Sequence, residues 1–190
     1  MNYKEYALSV RDAPVCGGLL FKPTGFWHRP GELPLRLVGR DRSAAVVKVP
    51  PRASNRYGEQ RPVVSFAPDV FSGDEGVTNI ILPPTVRSIP AGAFAGCSGL
   101  KNVTIPKSVV KIGKGTFDGC SGLEDVYYEG TRGEWEKIDV VRERFEQEFG
   151  GLIPGTPVSE LVDERRIAVP GNEALFRATV HFGCDPEDSY

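Results

Sequence analysis

The chain is poor in the side chains that most enzyme chemistry uses. Its 190 residues include two histidines, four cysteines, one methionine and two tryptophans. His28 and His181 stand far apart, and no C-x-x-C pair occurs. Local spacing therefore spells neither a zinc site nor a hydrolase triad. No apolar run approaches the roughly 20 residues of a membrane span. Net charge is −2 with no block of five like charges, which gives no electrostatic case for nucleic acid. The start, MNYKEYALSVRD, has no apolar core of a signal peptide, so a full-length chain is expected in the cytoplasm.

Sequences that suggest chemistry at first sight have plainer readings. GKGTFDG at 113–119 resembles a phosphate loop, but a P-loop needs Gly at 108, where Ser stands. Glu143, Glu146 and Glu148 fit a solvated helix face better than a paired acid and base. Asn102-Val-Thr104 is a formal glycosylation sequon inside an expected strand. His28 has no second ligand nearby, and His181 reads as structural.

What the chain does have is a period. EGVTNIILPPTVRSIPAGAFAGC (75–97) and SGLKNVTIPKSVVKIGKGTFDGC (98–120) align over 23 residues without a gap. Val77 falls on Leu100, Ile80 on Val103, Leu82 on Ile105 and Pro83 on Pro106. Val86 falls on Val109, Ile89 on Ile112, Phe94 on Phe117 and Cys97 on Cys120. Apolar residues locked in phase at a fixed period mean stacked repeats, in which one unit buries its apolar face only against a neighbour. L-x-x-V-x-I-P has strand spacing, and proline ends the strand by removing a donor. The phase-locked Phe is expected to stack on its copy one coil away. Cys97 and Cys120 share a phase and are expected as free buried thiols. Glycine (22) and proline (16), about a fifth of the chain, supply the turns this needs.

The motif L-x-x-V-x-I-P-x-x-V-x-x-I-G-x-x-x-F-x-x-C resembles the BspA-type leucine-rich repeat. The resemblance implies a right-handed, β-rich leucine-rich repeat solenoid used for protein or surface recognition, without catalysis, metal or cofactor. Relatives of this type are often secreted or on the cell surface.

Taken in order, residues 1–43 do not follow the period. They read as two or three short strands, an N-terminal β cap over the first coil's open end, with Phe26 and Trp27 in its core. An imperfect coil follows over 44–74, in which Val47, Val49 and Pro50, then Val63, Phe66 and Phe71, keep the phases. About ten extra residues near 52–61 are expected as a loop on one face. Two full coils run to Cys120, and a partial one covers 121–130 with Leu123, Val126 and Tyr128 in phase. The coil count is then about four.

Residues 131–190 are expected as a helix-plus-strand cap. Thr131 and Glu134 form a capping box, and the spacing of Trp135, Ile138, Phe145 and Phe149 predicts a helix over 133–149. GNEALFRATVHF reads as a short helical turn and a strand. It resembles the ending of BspA-type arrays, with residues 139–166 inserted. The tail CDPEDSY is expected to be disordered.

Alternation decides the outward face. It exposes one row of Val46, Asn79, Asn102 and Asp125, and a second of Lys48, Ile81, Thr104 and Tyr127. Lys48, Asn79, Ile81, Asn102, Thr104, Asp125 and Tyr127 are the candidate protein-binding residues. The reading is a non-catalytic recognition module for a protein or peptide, monomeric or weakly self-associating. The alternative is a structural, self-assembling or cell-surface adhesion component.

Overall fold

The structure is a computed structural model, and it describes residues 15–16, 18–24, 33–42, 44–55, 57–140 and 172–183. Among these, three sheets carry the fold.

The first sheet is parallel throughout. It contains β4 (Val46–Lys48), β7 (Asn79–Ile81), β9 (Asn102–Ile105), β11 (Asp125–Tyr128) and β13 (Thr179–Phe182), in the order β13-β11-β9-β7-β4. The register steps by the repeat. Asn79 pairs with Asn102 and Asn102 with Asp125, while Ile80 pairs with Val103 and Val103 with Val126. The second sheet is built from the V-x-x-I pieces: β8 (Ser88–Ile89), β10 (Lys111–Ile112) and β12 (Asp139–Val140), again parallel. The third, β1 (Val15–Cys16), β2 (Leu19–Pro23), β3 (Leu35–Arg40), β6 (Gln60–Phe66) and β5 (Arg52–Ser54), is mixed, with order β1-β2-β3-β6-β5.

Each coil is tied to the next by the same bonds. Lys101 N donates to Thr78 O and Glu124 N to Lys101 O, at 2.8 and 2.9 Å. Phe71 N donates to Ala93 O and Phe94 N to Thr116 O, both at 3.0 Å. The rings stack as the phase requires: Phe71–Phe94 centroids are 5.4 Å apart and Phe94–Phe117 5.3 Å, each pair tilted by 39°. The inward residues, including Val77, Ile80, Leu100, Val103, Ile112 and Val126, form one buried cluster running through all the coils. Close stacking also explains Gly99 and Gly122. A Cβ there would lie 2.1 Å from Glu75 O and 2.5 Å from Ser98 O, one coil back.

The repeat cysteines are free and buried. Cys97 Sγ donates to Phe71 O at 3.0 Å and Cys120 Sγ to Phe94 O at 3.1 Å. The thiol is therefore a second donor, beside a backbone N–H, to a carbonyl of the preceding coil. Burial, the leading cause in each case, pushes the Cys97 thiol up from 9.0 to about 11 and the Cys120 thiol to about 12. The hydroxyl of Thr116 in GKGTFDG lies 3.0 Å from Pro90 O and 2.8 Å from Gly113 O and shares its one proton between them.

Both ends of the Phe stack meet polar groups. Arg40 lies with its guanidinium 6.0 Å from the Phe71 ring centre. Its Nε is 2.8 Å from Asp74 Oδ2 with both side chains buried, an ionic contact in which the N–H is not aimed at that oxygen. At the other end the pattern runs out of coil. Phe117 N has no next-coil carbonyl and donates instead to Asn172 Oδ1 at 3.2 Å. Asn172 Nδ2 donates to Gly113 O at 3.1 Å. Asn172 is fully buried, so one side-chain amide stands in for the backbone of a missing turn.

Two expected elements differ. Over the described part of the helix expected at 133–149, residues 133–140, there is a single turn, α1 (Arg132–Trp135), although its capping box forms as the sequence requires; residues 141–149 lie outside the described residues. Thr131 N and its hydroxyl both donate to Glu134, which holds that carboxyl below its ordinary value. The chain then leaves the helix because β10 offers an open edge: Asp139 N donates to Val110 O, and Asp139–Val140 extends that ladder. Trp135 packs edge-on against Tyr128 at 5.2 Å and Ile138 is buried, while Phe145 and Phe149 lie outside the described residues. The expected loop at 52–61 is largely a hairpin of β5 and β6. Asn55 Oδ1 accepts from Tyr57 N and Glu59 N, closing its turn.

The short helix and final strand are present as α2 (Glu173–Arg177) and β13. Phe26, Trp27, His28, Cys184, residues 141–171 and the tail from 184 lie outside the described residues.

Candidate functional site

The outward side of the parallel sheet holds all seven candidate residues, since the observed register places them in two rows. The outer row is Val46, Asn79, Asn102 and Asp125. Val46 is exposed, and the other three are half-buried. Asn102 Nδ2 donates to Asn79 Oδ1 at 3.4 Å, a side-chain bond running along the solenoid. This amide is the sequon nitrogen, and it is engaged within the sheet.

The second row is Lys48, Ile81, Thr104 and Tyr127. Lys48 is exposed and Tyr127 half-buried. Here the expectation fails for two residues: Ile81 is 4% exposed and Thr104 1%. They face away from the core, as alternation says, and Ile81 is absent from the continuous core cluster. Yet neither is solvated. Thr104 is a short side chain in register with Ile81 and Tyr127 on the adjoining strands. Strands about 4.8 Å apart let such neighbours cover it. Facing outward and facing water are separate properties.

The structure adds residues that the two rows had omitted. β13 continues the sheet beyond β11, with Thr179 opposite Asp125 and His181 opposite Tyr127. His181 stacks on Tyr127 with ring centres 4.9 Å apart and planes 15° from parallel. Its Nε2 is 2.7 Å from Asp125 Oδ1. Asp125, Tyr127 and His181 thus form one supported group, in which the imidazole fixes both the carboxylate and the phenol ring. The signal was present in sequence: A-T-V-H-F carries the same alternation as E-D-V-Y-Y. Placing the last strand in phase would have brought His181 onto the face.

The opposite ladder is charged rather than aromatic, with Lys111 Nζ 3.6 Å from Asp139 Oδ2 in an exposed pair. Among the described residues, no group of three or more His, Cys, Asp or Glu converges as a metal site, and no helix is long and apolar enough to cross a membrane.

The sequence matches the family described as BspA type leucine rich repeat region (6 copies) over residues 63–137. No curated protein matches it. Among solved structures, a leucine-rich repeat protein from Bacteroides ovatus is similar at 30% identity and a TM-score of 0.51, covering 60% of this chain. This chain spans only 31% of that protein's length. A leucine-rich repeat protein from Bacteroides capillosus is similar at 21% identity and a TM-score of 0.52, covering 61% of this chain and 81% of that one; this likeness shows the fold. A leucine rich cell surface protein from Faecalibacterium prausnitzii is similar at 24% identity and a TM-score of 0.49, covering 67% of this chain and 35% of that one. Twenty-three-residue register, stacked phenylalanines and the two Bacteroides structures lead to one conclusion: the fold is of leucine-rich repeat type, and residues 63–137 match the BspA type leucine rich repeat region.

Proposed function

We propose that this chain is a non-catalytic protein-recognition module that binds a protein or peptide through the outward side of its parallel sheet. In this reading the solenoid is right-handed, with about four coils over 44–130. Residues 1–43 cap its first coil, and residues 131–190, with an inserted segment at 139–166, cap its last. The supporting observation is the Asp125–Tyr127–His181 group, where a half-buried ring stacks on an imidazole that is itself held by Asp125. An aromatic residue whose rotamer is already fixed loses little entropy on contact, and such residues dominate binding energy at protein interfaces. Lys48, Asn79 and Asn102 extend the face along the axis. Ile81 and Thr104 lie on the same side but are covered by their neighbours, and so are not direct contacts.

Peptides selected by display against the immobilised chain test this. Binding of the selected peptides should fall about tenfold or more with Tyr127→Ser and with Asp125→Arg, as expected for truncated anchors. Lys111→Glu, on the other ladder, should leave it unchanged. Equal binding by all three variants would remove the sheet face from the account.

A further inference from the structure

The chain's net charge of −2 conceals a strong separation along the solenoid. Residues 15–66 hold nine Lys or Arg and three Asp or Glu. Residues 121–190 hold seven and sixteen. The described residues alone keep the pattern: seven basic against two acidic in the first stretch, three against seven in the second. Strand order puts the described parts of the two stretches at opposite ends. β13 and β12 close the two repeat ladders at one end, while β6 packs beside β8 at the other and β3 and β2 continue outward from it.

Among the described residues, each end also presents exposed apolar side chains and a strand edge. At the acidic end, α2 turns Ala174 and Leu175 inward and leaves Glu173 and Phe176 exposed, three residues apart on one helix face. Phe182 is exposed too, and among the described residues β13 pairs only with β11. An edge strand of this kind is a template for another chain. At the basic end, Val46 on edge strand β4 and Tyr57 at the hairpin turn are exposed. Lys22 and Arg36 stand directly opposite each other on β2 and β3, and Arg36 is exposed.

We propose that this chain associates head to tail with a second copy of itself, the acidic C-terminal end of one seated on the basic N-terminal end of the next. The interface is heterologous, since the two surfaces differ. It therefore leaves one free end of each kind and extends unless a rotation closes the ring. Complementary charge steers the encounter, and the exposed apolar side chains at the two ends supply contact area. This is independent of the sheet face, which remains open along the side of such an array.

Light scattering after size separation tests it, across protein concentrations and at two ionic strengths. In about 10 mM salt, where charges act over roughly 30 Å, the mean mass should rise with concentration. In about 1 M salt, where the range is roughly 3 Å, it should return towards the 20.7 kDa monomer. Arg36→Glu and Glu173→Lys should each weaken association about tenfold, with circular dichroism unchanged. Mixing the two variants should restore pairing, because the intact tail of the first meets the intact head of the second. A two-fold symmetric contact would be restored as well, but it stops at twice the monomer mass, whereas the head-to-tail contact grows past it, so a mass that levels off at the dimer also overturns the proposal. A monomer mass at all concentrations in low salt overturns the proposal. So does association that strengthens with salt, or a mixture that stays monomeric. Retention of a monomeric wild-type chain on heparin through Arg36 would assign the basic end to a polyanion instead, and would also overturn it.

Discussion

Asn172→Ala asks whether one amide closes the repeat array. In the wild type, Asn172 Oδ1 accepts from Phe117 N and Asn172 Nδ2 donates to Gly113 O, with the side chain fully buried. Two hydrogen bonds of ordinary net strength are worth about 1–3 kcal/mol together, and a buried amide left without an acceptor costs about 1–3 kcal/mol by itself. These contributions overlap, and Gly113 O keeps its bond from Thr116, so the expected loss is about 2–4 kcal/mol. For a chain of this length each kcal/mol moves Tm by about 2–4 °C, which predicts a fall of roughly 4–16 °C. Amide exchange gives the sharper reading. The Phe117 amide should lose protection, while the Phe94 amide, bonded to Thr116 O, should keep most of its own. A Tm within about 2 °C of wild type, or equal loss at both amides, would refute the argument that Asn172 replaces the next coil.

The remaining expectations use the same logic. Phe94→Ala, which removes the middle ring of the stack, should cost about 3–5 kcal/mol in denaturant unfolding. Thr104→Arg should destabilise by about 3 kcal/mol or more because the position is buried, whereas Asn102→Arg, one residue away and half-buried, should stay within about 1 kcal/mol. At pH 8, Cys97 should be ionised in about one molecule in a thousand given its value of about 11, so iodoacetamide should label neither repeat thiol until the chain is unfolded. The folded thiols hold their protons above the ordinary value of 9.0. Their effect on stability is therefore nil below about pH 9, and stability falls as pH rises from there. A urea series between pH 8 and 10 checks the sign.

The repeat was legible because its phases are enforced twice, by burial and by stacking. Any residue out of place at 80, 89 or 94 disturbs its copies at 103, 112 and 117. Residues 133–149 were harder for a definite reason. The capping box at Thr131 says where a helix starts, and nothing local reveals that the edge of β10 competes for Asp139 and Val140. The hairpin at 52–66 had its turn chemistry in view, with Asn55 and Gly58, but an insertion into a repeat suggests a loop. Within the candidate face, alternation gave the side of the sheet for every residue. It could not give solvation, which depends on the size of neighbours in register, and so Ile81 and Thr104 were misjudged. His181 was passed over because strand β13 adds to the same sheet from 54 residues further along the chain.

Each 23-residue unit makes one circuit and lays its ring on the ring before it. Aromatic contacts measured by NMR, with phenylalanine rings selectively labelled, address that directly. Strong cross-peaks should join Phe71 to Phe94 and Phe94 to Phe117, rings whose centres lie 5.4 and 5.3 Å apart, with none between Phe71 and Phe117. Contacts between Phe71 and Phe117, or the absence of those involving Phe94, would contradict it.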